Sequence, residues 1–279
     1  MSEKPLFSVL MANYNNANYI YQAIDSVLKQ SYPYWELIIV DDASTDDSLG
    51  IIQPYLKDKR IKLIRLKKRM GCGGAKRVCA EKAKGEILGV LDSDDALHKD
   101  AIKTIVKAYK EDFKVGWIQS TYYECNDKLV PQRVGKIESA YFKKNIRLKW
   151  VGVYHFNTFR RNEYKKTSGF DKRLIVAEDR DLEYKLEEVT KFKLINKPLY
   201  FYRVHKKGIS QGNQIKDSFF YETLAKYEAY KRRLNTDIPN ITKKEMCKLL
   251  LKGIYSLLKL RRLNYMSSFL IKTIRLIKD

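Results

Sequence analysis

GEILGVLDSDDAL, residues 85–97, decides how the rest of the chain is read. Its first half is a short apolar run bounded by glycine, the pattern of a buried strand. Its second half sets Asp92, Asp94 and Asp95 within four positions, in a chain whose formal net charge is +22. So much negative charge at a strand end needs a purpose. Carboxylates spaced one apart there can project to one side and share a hard cation. Mg²⁺ or Mn²⁺ held by one or two carboxylates usually completes its shell with substrate phosphates. The plainer reading is a capping cluster for the next helix, since Asp is favoured at N-caps. Three acids exceed what one cap requires.

Working outward, the first hundred residues repeat this strand in company with helices. FSVLM (7–11), ELIIV (36–40), IKLIRL (61–66) and EILGVL (86–91) are short apolar strands. Between them, Ile20, Ala23, Ile24, Val27 and Leu28 share one face of a predicted helix over Ile20–Gln30. Ser44 or Thr45 is expected to cap the next helix. A glycine-rich turn then leads into a helix running through Ala83. Strand–helix alternation with strands apolar on both faces predicts an α/β fold: a Rossmann-like, mostly parallel sheet flanked by helices. Ligands of such sheets bind beyond the carboxyl ends of the strands. NYNN (13–16), DDASTDDS (41–48) and DSDD (92–95) all fall there.

Residues 100–210 are mixed. A helix from about His98 to Tyr109 precedes a strand at VGWIQSTYY (115–123); KTSGFDKR (166–173) is a turn. EDRDLEYKLEEV (178–189) is a charged helix with Leu182, Leu186 and Val189 in a stripe, and KPLYFYRVH (197–205) is a strand. The last part changes character. From Ile215 to Asp279 there are 15 Lys and Arg against 6 Asp and Glu, with almost no glycine or proline. Leu249, Leu250, Ile254, Leu257 and Leu258 form one helical stripe; Met266, Leu270, Ile274 and Ile277 form another. The expected organisation is one domain over 1–212, in halves 1–98 and 99–212, followed by a basic helical extension over 213–279.

Composition narrows the function classes. With 44% hydrophobic residues in 279, the chain can build a real core. An excess of 55 basic over 33 acidic residues predicts attraction to polyanions without choosing among nucleic acid, anionic lipid and phosphorylated small molecules. Four cysteines (Cys72, Cys79, Cys125, Cys247) include no Cys-x-x-Cys pair, and three histidines are too few for a zinc framework. Reduced thiols in a cytoplasmic protein are expected. LFSVLMA (6–12) is too short to span a bilayer, lacks a cleavage pattern and reads as a first strand.

Further segments suggest chemistry. Asp41 and Asp42 can accept hydrogen bonds from a base or ribose. RMGCGGAKR (69–77) fits neither phosphate-loop nor dinucleotide fingerprint. Its glycines still let backbone N–H groups approach phosphate oxygens, and Lys76 is placed to meet a diphosphate. Glu178, Asp179 and Asp181 open a helix, which is ordinary dipole compensation, or place a general base if the fold aims one at the strand-end crevice. In YRVHKKGIS (202–210), Arg203, His205 and Ser210 follow a strand, where a histidine can act as a ligand or phosphate contact.

Taken in order, these segments resemble glycosyltransferase family 2, the inverting nucleotide-sugar enzymes of GT-A fold, from about Phe7 to Ser210. The resemblance implies that Tyr14, Asn15 and Asp42 hold the nucleoside, with Asp42 on a uracil-like edge. It puts Asp92 and Asp94 at the ribose and metal, and Asp94 or Asp95 on Mg²⁺ or Mn²⁺. Asp179, second of the Glu178–Asp179 pair, becomes the catalytic base. Gly169 would let the backbone pass close to the donor sugar. His205 would complete the metal shell, and Arg203 would sit beside the phosphates. Arg77 departs from the pattern, where relatives usually carry Asn. Cys125–Lys149 has no clear counterpart and is expected to shape the acceptor side.

The implied activity is metal-dependent transfer of a hexosyl or hexosaminyl group from a nucleotide diphosphate, UDP by expectation, to a hydroxyl of a glycan or lipid-linked acceptor in cell-surface polysaccharide or glycolipid assembly. The basic extension is expected either to lie on the inner face of the membrane or to pack on the catalytic domain or a second subunit. Two other classes compete. A nucleic-acid-binding module would explain the charge, yet unbridged acids at every strand end would repel phosphate. A nucleotide-sugar-binding protein without catalysis would keep the crevice and lose the base.

Overall fold

Every residue of the first strand except Ala12 is buried, and that burial sets the architecture. In the computed structural model, which describes residues 1–135, 155–174, 176–206, 208, 215–238, 240–259 and 270–272, β1 (Phe7–Asn13) lies between two parallel neighbours. One is β2 (Trp35–Asp41), in register from Phe7 against Trp35 to Asn13 against Asp41. The other is β4 (Ile87–Val90), which pairs Phe7 with Ile87 and Leu10 with Val90. β3 (Ile61–Arg65) extends the sheet beyond β2, also parallel. Strands buried on both faces need two apolar layers. Phe7, Val9 and Met11 face α1 (Ile20–Leu28) and α4 (Ala101–Glu111). Leu10, Ile38, Val40 and Leu88 face α3 (Gly71–Lys82), through Ala75, Cys79 and Ala80.

The expected α/β sheet with flanking helices is therefore present, and its first half is wholly parallel. The second half is mixed. β8 (Thr158–Arg160) runs antiparallel between β4 and β6 (Val115–Cys125). β9 (Lys191–Arg203) is parallel to β6, and the two-residue β5 (Ala96–Leu97), directly after the DSDD loop, pairs antiparallel with β9. The full order is β3-β2-β1-β4-β8-β6-β9-β5, with β7 (Pro131–Val134) as a hairpin arm on β6. The short α5 (Arg161–Lys166) follows β8. The charged helix α6 (Glu178–Glu187) buries Leu182 and Leu186 under the same layer as α3.

Two local expectations are corrected. Ser44 and Thr45 do not cap a helix. The next helix, α2 (Ser48–Ile52), starts three residues later and continues as a 3-10 turn over Gln53–Lys57. Ser44 Oγ instead donates to Asp41 (2.6 Å), and the Thr45 amide donates to Asn15 Oδ1 (2.7 Å). The glycine-rich segment is not a turn ahead of α3 but its first turn. A side chain at Gly73 would meet the carbonyls of Asp171 and Leu174 at 2.4 and 2.6 Å, so glycine there lets the loop before α6 rest on α3.

The basic extension packs on α6. α7 (Ile215–Arg232) and α8 (Lys243–Lys259) build their own core from Phe220, Tyr221, Tyr227, Tyr230, Met246 and Leu250, joined by Leu174 and by Tyr184 of α6. Charge matches as well. The fully buried Arg233 guanidinium donates to Glu188 Oε1 (3.0 Å) and the Tyr184 carbonyl (2.8 Å) and pairs with Glu187 (3.1 Å). Arg232 adds bonds to Glu188. Among the described residues, no helix is long and apolar enough to cross a membrane, and all four cysteines are free thiols. Ser210, residues 136–149 of the stretch without a counterpart, and Met266, Ile274 and Ile277 of the second stripe lie outside the described residues.

Candidate active site

The loops after β1, β2 and β4 meet at one rim, and polar side chains knit them. Asn13 Nδ2 donates to Asp41 (2.9 Å), and Asn16 Nδ2 donates to Ser93 in the DSDD loop (2.8 Å). Asn15, at a left-handed φ of 54°, accepts the Thr45 amide, so its side chain organises the second loop. Tyr14 lies under the Arg69 guanidinium, 3.8 Å from ring centroid to charge. Asp42 accepts the amides of Met70 (2.6 Å) and Gly71 (2.9 Å) and thereby anchors the start of α3. Burial raises its pKa, although those two amides pull the other way.

The DSDD loop divides its acids. Asp95 is buried; it accepts the Arg203 amide (2.7 Å) and the Tyr200 hydroxyl (2.8 Å). Tyr200 also accepts the Asp92 amide, so one phenol staples both ends of the loop. Burial, then the neighbouring Asp94 and Asp92, push the Asp95 pKa well above the carboxylate range. Each Asp95 oxygen thus accepts one donor from the protein, which ties the expected metal ligand into the loop. Asp94 points elsewhere, its Oδ2 3.0 Å from His205 Nε2. His205 is more than nine-tenths buried, packed edge-on against Tyr19 at 4.6 Å, and its Nδ1 has no hydrogen-bond partner among the described residues.

Arg203, expected beside the phosphates, donates to the carbonyls of Asp94 (2.5 Å) and Asp127 and to Gln22 Oε1 (2.7 Å). A planar guanidinium with several donors suits such a strut.

Across the rim stands the start of α6. Lys76 of α3, expected to face a diphosphate, is instead buried between Asp92 Oδ1 (3.0 Å) and Glu178 Oε1 (2.8 Å). Burial opposes its charge, but Asp92 and Glu178 outweigh that and raise its pKa well above the ordinary lysine value. For Asp92, burial pushes up while the Lys76 charge and hydrogen bond pull harder, so its pKa is lowered. Glu178 is buried, also accepts the Cys72 thiol (3.0 Å), and has its pKa raised by burial. The glycine amides are likewise spent inside the protein: Gly71 on Asp42 and Gly73 on the Leu174 carbonyl.

Asp179, next to Glu178, is half-buried. The one hydrogen bond its carboxylate shows among the described residues is from the Arg180 amide (2.7 Å). It lies within electrostatic reach of Lys76 and of His155.

Gly169 takes a positive φ of 70°, and a side chain there would strike the Tyr164 hydroxyl at 2.6 Å. Its carbonyl accepts Lys185 of α6 (2.8 Å). Arg77, the departure from the family pattern, donates to the carbonyls of Ser168 (3.1 Å) and Phe170 (3.0 Å) on either side. Three residues escaped sequence reasoning: Tyr200, Arg77 in this bracing role, and His155. His155 is stacked on Tyr200 (4.7 Å) and Tyr202 (5.2 Å), and burial lowers its pKa to about 4. Its one signal was rarity, as one of three histidines.

No group of three or more His, Cys, Asp or Glu able to hold a metal converges among the described residues. Asp94 and His205 form a two-ligand carboxylate–imidazole set, and the partnerless Nδ1 shows an imidazole not fully satisfied by protein. That set fits a hard divalent cation whose other ligands come from phosphate and water.

The model of glycosyl transferase family 2 matches residues 8–169, more than half of the chain. Chondroitin synthase of Escherichia coli is 30% identical over 74% of this chain, which spans only 30% of that protein. The putative teichuronic acid biosynthesis glycosyltransferase TuaG of Bacillus subtilis is 45% identical over 36% of this chain and 40% of its own. Among solved structures, S. aureus TarS 1-349 in complex with UDP-GlcNAc superposes with a TM-score of 0.68 at 21% identity, covering 97% of this chain and 79% of that one. The mannosyltransferase PcManGT of Pyrobaculum calidifontis, in complex with GDP-Man and Mn2+, gives 0.65 at 18% identity over 92% and 73%. At such identities the structures speak to fold; the family model speaks to descent, and the chain belongs to glycosyl transferase family 2.

Proposed function

We propose that this chain is an inverting, cation-assisted glycosyltransferase that moves a hexosyl or hexosaminyl group from a UDP-sugar to a hydroxyl of a glycan or lipid-linked acceptor, in the building of a cell-surface polysaccharide. One observation carries the reading. At the start of α6, Asp179 keeps a carboxylate bound, among the described residues, by its own helix alone, beside a rim where its neighbour Glu178 and Asp92 are fixed by Lys76. A base must have an oxygen available to take a proton, and the one hydrogen bond that Asp179 accepts among the described residues leaves it one.

In this reading the nucleoside lies at Tyr14, Asn15 and Asp42, and Gly169 borders the donor sugar. Asp179 takes the proton of the acceptor hydroxyl. The hydroxyl oxygen attacks the anomeric carbon from the face opposite the diphosphate. The bond from that carbon to the phosphate oxygen breaks, its electron pair leaves with the nucleoside diphosphate, and the configuration inverts. Inverting glycosidases place a base carboxylate opposite the leaving group in the same way. Mg²⁺ or Mn²⁺ held by Asp94 and His205 would neutralise charge on the departing diphosphate. Lys76 holds the mutually repelling Glu178 and Asp92 together across the rim, and Arg77 holds the Gly169 turn.

UDP as the nucleotide is supported by TarS, solved with UDP and with UDP-GlcNAc; PcManGT, solved with GDP-Man, is the competing precedent. The polysaccharide role is supported by the names of the chondroitin synthase and TuaG relatives. The test is release of nucleoside diphosphate from a panel of UDP- and GDP-sugars, with Mn²⁺ and with chelator. Release from a UDP-sugar that needs the cation supports the reading. Binding without release, by full-length protein supplied with glycan acceptors, would leave a nucleotide-sugar-binding protein instead.

A further inference from the structure

The extension packs on α6 with one face only. On α8 the buried face is formed by Met246, Leu250 and Gly253, which turn toward α7. On the opposite face Lys244, Lys248, Leu251, Lys252 and Tyr255 are exposed. At about 100° per residue these five fall within a stripe roughly 100° wide. Leu251 and Tyr255 are 55% and 70% exposed, so the stripe is not simply a solvated charged face. Leu270 and Ile271 add exposures of 52% and 50%; Lys272, next to them, lies 3.9 Å from Glu228 and over the Tyr227 ring, which places this short segment against α7.

We propose that this outer face of α8 docks the protein on an anionic lipid surface. Three lysines alternating with a leucine and a tyrosine match that partner in two ways. The ammonium groups meet headgroup phosphates, while Leu251 and Tyr255 enter the boundary between headgroups and acyl chains. A second copy of the same face is a poor partner, because it would set lysines against lysines. Binding itself is independent of the proposed transfer reaction. It rests on that reading only for its purpose, which is to bring the site to a lipid-linked acceptor.

The test is flotation of the full chain with vesicles of phosphatidylcholine alone and of equal parts phosphatidylcholine and phosphatidylglycerol, at low and high salt. The unaltered protein floats with the anionic vesicles, less so in high salt, and not with the neutral ones. Lys244→Glu/Lys248→Glu/Lys252→Glu lowers the partition by roughly 100-fold, from about fivefold per lost lysine. Leu251→Ser/Tyr255→Ser weakens binding while leaving the salt dependence in place. Nucleotide-sugar hydrolysis in solution is unchanged in both, which shows that they are folded. No flotation of the full chain, equal flotation with neutral vesicles, or full binding by the triple variant overturns the proposal. So does light scattering that shows a dimer dissolved by the same substitutions, since the face would then be a subunit contact.

Discussion

The DSDD loop and the start of α6 each offer a pair of adjacent acids, and the fold treats the two pairs alike. Asp95 and Glu178 are buried and tied: the first by Tyr200 and the Arg203 amide, the second by Lys76 and Cys72. Their neighbours, Asp94 and Asp179, stand at the crevice with a single side-chain or local partner each. A buried carboxylate without partners is costly, and each inner acid has two donors. Those ties fix the backbone beside the outer acid. On the proposed function, the four acids in two doublets divide into two framework groups and two working groups.

The sharpest break of this comparison is kinetic. Asp179→Asn should lower kcat by about 10²–10⁴-fold, the usual worth of a general base, with nucleotide affinity and melting temperature unchanged. Glu178→Gln should lower the melting temperature more than Asp179→Asn does. Equal kinetic losses at equal stability would erase the distinction between the two positions.

Next in size is the tie itself. Lys76→Met leaves Glu178 buried without its cation, a change that typically costs about 3–5 kcal/mol, or roughly 10 °C in a chain of this size. A melting scan that moves little would show that the ammonium is not what holds α6 to the loop.

The DSDD doublet gives a third contrast. Asp94→Asn should raise the Mn²⁺ concentration for half-maximal nucleotide release by at least about tenfold, since even partners behind a ligand matter that much. Asp95→Asn should mainly lower stability, because an amide cannot accept from both the Arg203 N–H and the Tyr200 hydroxyl. If Asp95→Asn changes the cation dependence more than Asp94→Asn, the assignment is reversed.

Much of the parallel half was legible because its strands are continuous apolar runs between turn residues. In the mixed half VGWIQSTYY and KPLYFYRVH were legible as strands, lying in β6 and at the end of β9, and the rest was not. Thr158–Arg160 is three residues long, too short for any period, and β9 begins with Lys191, Lys193, Asn196 and Lys197, which hide a strand under charge. The start of α3 was misread because glycines signal turns, whereas here Gly73 answers to a carbonyl packed against it. Which acids gather at the rim could be read from strand ends. Which of them are spent could not: Asp94 and Asp95 are alike in sequence and differ only through Tyr200, Arg203 and His205, more than a hundred residues away. The same holds for Lys76, whose partner Glu178 comes from the far side of the rim.

The smallest effect separates two ways of tying an acid. Glu36 on β2 accepts Ser8 Oγ (2.7 Å), the Lys84 amide (2.6 Å) and Lys62 Nζ (2.7 Å). Burial pushes its pKa up, but those three donors outweigh it and the pKa is lowered. Asp42, held by two amides and lying beside Asp41, is raised by burial. The linkage signs are opposite. Above the ordinary carboxylate pKa of about 4, Glu36 contributes its full stabilisation, and it loses this as pH falls through its lowered folded value. Asp42 holds its proton more tightly folded than unfolded, so its contribution falls as pH rises above about 4 toward its raised value. The melting deficit of Glu36→Gln relative to the unaltered chain should therefore grow from acid to neutral pH, by a few degrees. The deficit of Asp42→Asn should shrink over the window just above pH 4. Parallel curves for the two variants would mean that the ammonium of Lys62 adds nothing to the tie that amides alone do not supply.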